Sequence, residues 1–302
     1  MKHSLSFTFA LSVLLLSACG GGSQTADGGD SPKTVTVLGV VVGEQQEKLE
    51  KALAPFEAET GIDVVYEGTD AFATLLPVRV ESGDALRTAG PEVYDQWTRH
   101  EIPFNDGHVK TAFETFGKVV LNPKSVVGGS VGAISIPFGD APSGLWSDPP
   151  NCYLHRQANF IASFFPEEVT LGQDVDVFLL PGINPAFGVP VLVAGDVFGM
   201  FNDTPEAQAL MAYLATPEPH EIWAREGGFL SPHQQVSLEV YPDPVSRKEA
   251  EFLTTAETIR FDGSDLMPGA VGTGTFWSGI MDYVAGTPVE KVLDKIEQSW
   301  PQ

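Results

Sequence analysis

One stretch constrains the fold more than any other: Thr34-Val35-Thr36-Val37-Leu38-Gly39-Val40-Val41-Val42, together with the two dozen residues after it. The run is β-branched and ends in Gly43, which reads as a buried strand. Gly43-Glu44 opens a helix from about Gln45 to Thr60, with Leu49, Leu53 and Phe56 at helical spacing and Glu and Lys on the other faces. Gly61 supplies the stop, and Ile62-Asp63-Val64-Val65-Tyr66 is a second strand. Such a strand–helix–strand unit is expected to be parallel with a right-handed crossover. Its ligand end lies at the carboxyl ends of the strands, at Gly43-Glu44 and at Glu67-Gly68-Thr69-Asp70. A doubly wound lobe that begins this way should go on adding strands. Here the sequence from Tyr66 to Val119 offers none.

Instead, a helix is expected over Ala71–Glu81, succeeded without a strand by helical sequence over Leu86–Arg99 and Val109–Leu121. Val131–Ile136 is a short strand candidate, Cys152–Phe165 a helix, Val175–Leu180 an alternating strand stopped by Pro181-Gly182, and Val189–Phe201 one or two strands. Thr204-Pro205-Glu206 starts a helix that runs to Leu214, with Thr at the N-cap and Pro in the first turn. Further helices are expected over Glu218–Glu226, Ser246–Thr258, Gly274–Ala285 and Val289–Gln298. The class is α/β, with helix dominating the C-terminal half.

The amino terminus carries an address. Lys2 precedes an apolar run, Phe7–Leu16, and then Leu16-Ser17-Ala18-Cys19. This pattern is a secretory signal peptide, too short to span a bilayer. Leu-Ser-Ala-Cys resembles a bacterial lipobox, in which Cys19 is lipidated and becomes the mature N-terminus. Residues 1–18 are thus expected to be signal peptide, and residues 19–33, rich in Gly, Ser and Asp, a flexible tether. With Cys19 acylated, Cys152 has no partner for a disulfide and reads as a structural thiol. The formal net charge of −23 argues against nucleic acid and anionic lipid surfaces as partners. The six histidines show no metal-ligand spacing, and no cofactor motif is present.

Four segments together resemble a known family. They are Thr36–Leu38 through Gly61-Ile62-Asp63-Val64 with Glu67-Gly68-Thr69; Pro149-Pro150-Asn151-Cys152-Tyr153-Leu154-His155-Arg156-Gln157-Ala158-Asn159; Gly195-Asp196 with Asp203–Ala207, Tyr213–Glu218 and Trp223-Ala224-Arg225-Glu226-Gly227-Gly228-Phe229-Leu230-Ser231-Pro232; and Phe261-Asp262-Gly263-Ser264-Asp265-Leu266-Met267-Pro268 with Gly274-Thr275-Phe276-Trp277. Behind a lipobox and in this order, they are similar to the extracytoplasmic solute-binding proteins of carbohydrate ABC importers, in the alpha-glucoside or oligosaccharide-binding branch. The resemblance implies a two-lobed periplasmic-binding-protein fold with a hinge. Lobe 1 would hold residues 34–85 and 188–233, and lobe 2 residues 86–187 and 234–302. It also implies a monomer with a carbohydrate ligand, permease subunits as partners, and a place outside the cytoplasm on a lipid anchor. In one respect the chain departs from the family. After Ala85 the family continues with further first-lobe strands, whereas here Leu86-Arg87-Thr88-Ala89-Gly90-Pro91 resembles a much later segment. A domain-sized piece, on the order of a hundred residues, is missing at Ala85–Leu86, so the first lobe is expected to be incomplete.

Sugars present apolar faces ringed by hydroxyls, and a site for them needs aromatic platforms and polar side chains. Trp277, in a Gly-rich stretch, and Trp146, in a loop, are candidate platforms; each has a packing role as its alternative. Asp196 ends an apolar run, where a ligand contact explains a carboxylate better than core packing does. Glu44 and Asp70 stand at the two strand ends, where either could instead cap a helix. Arg225 can fork to hydroxyls or pair with Glu221 or Glu226. Gln157, with His155, lies on the expected helix at 152–165. Trp223, Trp97 and Trp300 read as packing residues. The function expected is sugar binding without catalysis. The alternatives are an extracytoplasmic glycoside hydrolase, for which no carboxylate pair is singled out, and a truncated remnant lipoprotein that binds nothing.

Overall fold

The structure, a computed structural model, describes residues 33–68 and 76–301. Cys19 and Asp70, the expected signal peptide and the expected tether up to residue 32 lie outside the described residues; Lys33, expected as the last tether residue, opens the first strand. The fold is mixed α/β, with two small parallel sheets. Strand β1 (Lys33–Gly39) leads into α1 (Glu44–Thr60) and β2 (Ile62–Gly68). β1 and β2 pair in parallel, from Lys33 opposite Ile62 to Gly39 opposite Gly68. Leu49, Ala52, Leu53 and Phe56 form the buried face of α1. Gly61 ends the helix at φ +67°, its N–H donating to the Glu57 carbonyl, a left-handed position that suits glycine. Across the sheet ends, the Tyr66 hydroxyl accepts from the Val41 N–H at 3.0 Å.

Four helices come next: α2 (Leu76–Ala89), α3 (Pro91–Thr98), α4 (Gly107–Val120) and α5 (Gly129–Ser135). The first residues of the helix expected over Ala71–Glu81 lie outside the described residues; from Leu76 the helix is present, and α2 runs unbroken through Ala85–Leu86. Both residues of that junction are buried in a helical core. The expected strand at Val131–Ile136 is α5. Its apolar residues have no strand to pair with, and Val131 is 72% exposed. Residues 152–158 are irregular and lead only into a 3-10 turn over Asn159–Phe164, so the helix expected at Cys152–Phe165 is corrected and His155 and Gln157 do not share one. Residues 175–180 are also irregular, held by one bridge between Leu171 and Val175. Alternation alone cannot make a strand where no partner edge lies alongside. From Val189–Phe201 only β3 (Val191–Val193) forms.

The rest is mostly helical: α6 (Pro205–Leu214), α7 (Pro217–Glu226), α8 (Pro244–Thr255), β4 (Ile259–Phe261), α9 (Gly263–Leu266), a π-helical stretch at Ala270–Phe276, α10 (Trp277–Val284) and α11 (Val289–Glu297). Thr204 caps α6 as its sequence predicts, accepting from the Ala207 N–H at 3.2 Å. β4, absent from the sequence reading, pairs in parallel with β3.

Three apolar clusters organise these elements. One joins α2–α4 to the C-terminal helices around Trp97, whose ring meets Tyr94, Phe104 and Phe276 edge-on. A second joins α1 and β2 to α6 through Leu49, Leu53, Phe56, Ile62 and Leu210. The third gathers Ala224, Val236, Tyr241 and Ala250 between α7 and α8.

Candidate functional site

The end of α7 fixes the backbone of the candidate site. Gly227 and Gly228 both adopt positive φ, +80° and +79°, which L side chains rarely tolerate. A Cβ at Gly228 would meet the Gln45 amide of α1 at 2.6 Å. Two glycines therefore let the loop turn sharply and pass close to α1. They deliver Phe229, whose ring stacks on Trp223 at 4.4 Å and 7°. A parallel stack of this kind fixes an aromatic plate in orientation.

Phe229 lines a recess of ≈ 180 Å³. Lys48 of α1, Asn159 and Ser163 of the 3-10 turn, Asp243 at the N-cap of α8, and Ser246 and Glu249 within α8 complete its polar side-chain lining. These groups are not equivalent. The Lys48 ammonium is held at 2.9 Å by Glu44, one turn earlier, and that pair keeps the exposed Glu44 carboxyl below its ordinary value. Asp243 is the N-cap of α8. Its Oδ1 accepts from the Val245 and Ser246 N–H groups at 2.9 Å, and its Oδ2 from the Ser246 hydroxyl at 2.6 Å. Glu249 falls one turn after Val245, on the buried side of α8. Burial, and then the nearby Asp243 charge, push its carboxyl up to about 7. At neutral pH such a group both accepts and donates hydrogen bonds, as a sugar hydroxyl does.

Behind the plate, His220 lies 5.8 Å from the Phe229 ring. It contacts the Leu214 carbonyl through Nε2 at 2.9 Å and the Ser231 hydroxyl through Nδ1 at 3.1 Å. Burial lowers its pKa. The neutral ring with its proton on Nε2 satisfies both partners, so this pair braces the loop.

None of the described residues proposed from sequence lines the recess; Glu44 reaches it through its pair with Lys48. Asp196 is exposed, and its charge adds to burial in raising the Tyr66 hydroxyl, which places it by the carboxyl ends of β1 and β2. Trp146 caps a 3-10 turn at Ala141–Leu145 and packs edge-on against Phe165 at 5.3 Å. Trp277 begins α10 and packs on the helical core. Arg225 pairs with Glu221 at 2.8 Å on the surface. Gln157 accepts from the Ala158 N–H at 2.9 Å just ahead of the 3-10 turn at Asn159. Cys152 is a free thiol raised by burial, which disfavours the thiolate. Sequence does not single out Phe229 or Glu249. Their signals are the Gly227-Gly228 pair, and an acid spaced four residues after Val245 and next to the buried Ala250.

Over its whole length the chain is 40% identical to the osmoprotective compounds-binding protein GgtB of Synechocystis, in an alignment of 424 residues that covers 100% of both chains. The chain belongs to the extracytoplasmic solute-binding proteins of sugar ABC importers. It is also 45% identical over 217 residues to the alpha-glucosides-binding periplasmic protein AglE of Rhizobium meliloti, covering 71% of this chain and 47% of that relative. No family model matches, and no solved structure matches. Members of this family bind without catalysis. The 424-residue alignment exceeds the 302 residues of the chain, so more than a hundred aligned positions are empty on this side. Among the described residues no helix is long and apolar enough to cross a membrane, and no group of three or more His, Cys, Asp or Glu is arranged to hold a metal ion.

Proposed function

We propose that this protein is the lipid-anchored, extracytoplasmic binding subunit of an ABC importer, and that it takes an α-glucoside or a related osmoprotective sugar into the recess beside Phe229. One observation carries this reading. The recess is lined by Lys48 and residues 227–230, which belong to the expected lobe 1, and by Asn159, Ser163, Asp243 and Glu249, which belong to the expected lobe 2. A ligand held between two lobes is what allows a hinge to close on it. The names of the two relatives support both ligand classes, osmoprotective compounds and alpha-glucosides. The lipobox at Cys19 supports the anchor, which would keep the binder beside its permease.

The incomplete first lobe belongs to the same reading. The alignment with GgtB leaves more than a hundred positions without a residue of this chain. Among the described residues the β1–β2 sheet has two strands, with Leu38 70% exposed. Val197 (84%) and Phe201 are bare in the extended segment after β3. Apolar residues left bare around a two-stranded sheet are what loss of neighbouring strands would leave. Rereading the gene across codons 84–88 tests this directly. A continuous reading frame there supports a true shortened chain, and recovered codons would overturn it.

Phe229→Ala tests the site. Removing the plate should weaken glucoside binding about tenfold or more, the size expected for a central aromatic anchor, as read by equilibrium dialysis with a labelled α-glucoside. Unchanged affinity would place the ligand elsewhere.

A further inference from the structure

The loop that carries Phe229 is free on one side of the ring and anchored on the other. Gly227 and Gly228 precede it at φ +80° and +79°, and glycine leaves a backbone its widest freedom. Two residues after the ring stands Ser231, 5% exposed and bonded on three sides. Its N–H donates to the Tyr241 hydroxyl at 3.0 Å, its Oγ accepts from the His233 N–H at 3.0 Å, and the same hydroxyl meets Nδ1 of His220 at 3.1 Å. His220 is fixed in turn by the Leu214 carbonyl at the end of α6, 2.9 Å from Nε2. We infer that His220 and Ser231 are positioning residues for ligand binding: with the imidazole neutral they fix the Phe229 plate at the recess, and protonation of His220 releases it. This step rests on the function proposed above, with the recess as the binding site.

Packing makes the pair act through Phe229. His220 and Trp223 are three residues apart on α7 and share a face. The Phe229 ring packs on both, 4.4 Å from Trp223 and 5.8 Å from His220. A carbonyl can only accept, so Nε2 carries the proton and Nδ1 accepts from the Ser231 hydroxyl. A second proton would put an N–H on Nδ1. The Ser231 oxygen would then face two donors, that N–H and the His233 N–H, and its own proton would lose its acceptor. From α6 the imidazole meets the Leu214 carbonyl, and from the loop Ser231 and His233, whose ring lies 5.6 Å away. Behind Ser231 stands the Tyr241 hydroxyl, kept protonated by burial. On α7 itself, Glu218 is exposed and Glu221 pairs with Arg225. Burial lowers the His220 pKa most, the Leu214 carbonyl opposes that shift, and the His233 charge adds to it. The neutral, locking form is therefore complete above its ordinary value of about 6.5, and release lies on the acid side.

The test is a scan of the full chain from about pH 7.5 to about pH 4.5, followed in two ways. Without ligand, near-ultraviolet circular dichroism reports the Trp223–Phe229 stack, taken as the difference from Phe229→Leu. With ligand, equilibrium dialysis gives the affinity for methyl α-D-glucoside. On the acid side the parent should lose the stack signal and about fivefold in affinity. His220→Gln, whose amide keeps a donor and an acceptor and does not titrate, should show neither acid-side loss. Glu249 also titrates in the recess, but it is common to both proteins and cancels in the comparison. Ser231→Ala should bind about fivefold more weakly at neutral pH. In a Phe229→Ala background the same change should have no further effect, because it acts through that ring. Parallel pH profiles in parent and His220→Gln would overturn the inference. So would equal losses from Ser231→Ala with and without Phe229. No binding of the glucoside at any pH would overturn the function proposed above, and the ligand-free dichroism would still decide whether His220 positions the plate.

Discussion

Glu249→Gln should raise the melting temperature of the protein at pH 8 by several degrees and change it little at pH 4.5. The folded carboxyl titrates at about 7 against an ordinary value of 4.5, because burial and then Asp243 disfavour its charge. Below about pH 4.5 the acid is protonated in both folded and unfolded chains, and its burial carries no ionic penalty. As pH rises from about 4.5 to about 7 the unfolded chain ionises while the folded carboxyl stays protonated, so stability falls across that window and the full penalty is present above it. At about 1.36 kcal/mol per pH unit, the gap corresponds to on the order of 3 kcal/mol. Glutamine keeps the shape and removes the penalty, and at about 2–4 °C per kcal/mol for a chain of this size the gain at pH 8 is well above scan error. His220, whose pKa is lowered by burial, acts with the opposite sign. Its stabilising neutral form is complete above its ordinary value near 6.5 and is lost as pH falls through its folded value. The comparison of variant with parent at each pH cancels that contribution. An equal gain at both pH values would show that Glu249 is not held in its raised state.

Asp84→Ala should be the more damaging change. Asp84 is 3% exposed and sits in α2, one residue before the Ala85–Leu86 junction. Its Oδ1 accepts from Arg87 at 2.6 Å, and its Oδ2 faces Arg156 at 3.5 Å. Arg87 also donates to the Pro181 carbonyl from Nε and Nη2. One carboxylate therefore ties α2 to the irregular segments around 156 and 181, which have almost no regular structure of their own. Burial lowers the Arg87 pKa and Asp84 opposes that shift. Removing the acid leaves the half-buried Arg87 guanidinium beside Arg156 without its counter-charge and opens a gap at a buried position, a loss of about 3 kcal/mol. Thermal unfolding should move down by on the order of 10 °C, whereas Glu92→Ala, at an exposed position of α3, should stay within about 2 °C. A shift as small for Asp84 would mean that the cluster is solvated.

How much of the fold is legible in sequence depends on how local each signal is. β1, α1 and β2 are legible because strand propensity, helical spacing and the Gly61 stop agree within one short stretch. The start of α6 is legible because Thr204 and Pro205 act on the helix they begin. Val131–Ile136 and Val175–Leu180 mislead because a strand needs a partner edge, and the partner lies elsewhere in the chain or is lacking. The missing continuation after Tyr66 is visible in sequence, since it is an absence of strands. That α2 runs straight through the junction is a tertiary outcome, set by burial of Ala85 and Leu86 against α4 and α10. The recess is nonlocal in the same way. Lys48, Asn159, Phe229 and Glu249 are separated by long stretches of chain, and only the Gly227-Gly228 turn marks the place where they meet.

The chain, although more than a hundred aligned positions shorter than its relative, is proposed still to bind a sugar and to leave it intact. Isothermal titration of the full-length protein with a panel of α-glucosides, and then recovery of the sugar, measures both halves of that statement. Saturable heat with one site per chain is expected for at least one glucoside, with the ligand recovered with every glycosidic bond in place. No heat with any member of the panel, or release of cleaved sugar, would contradict it.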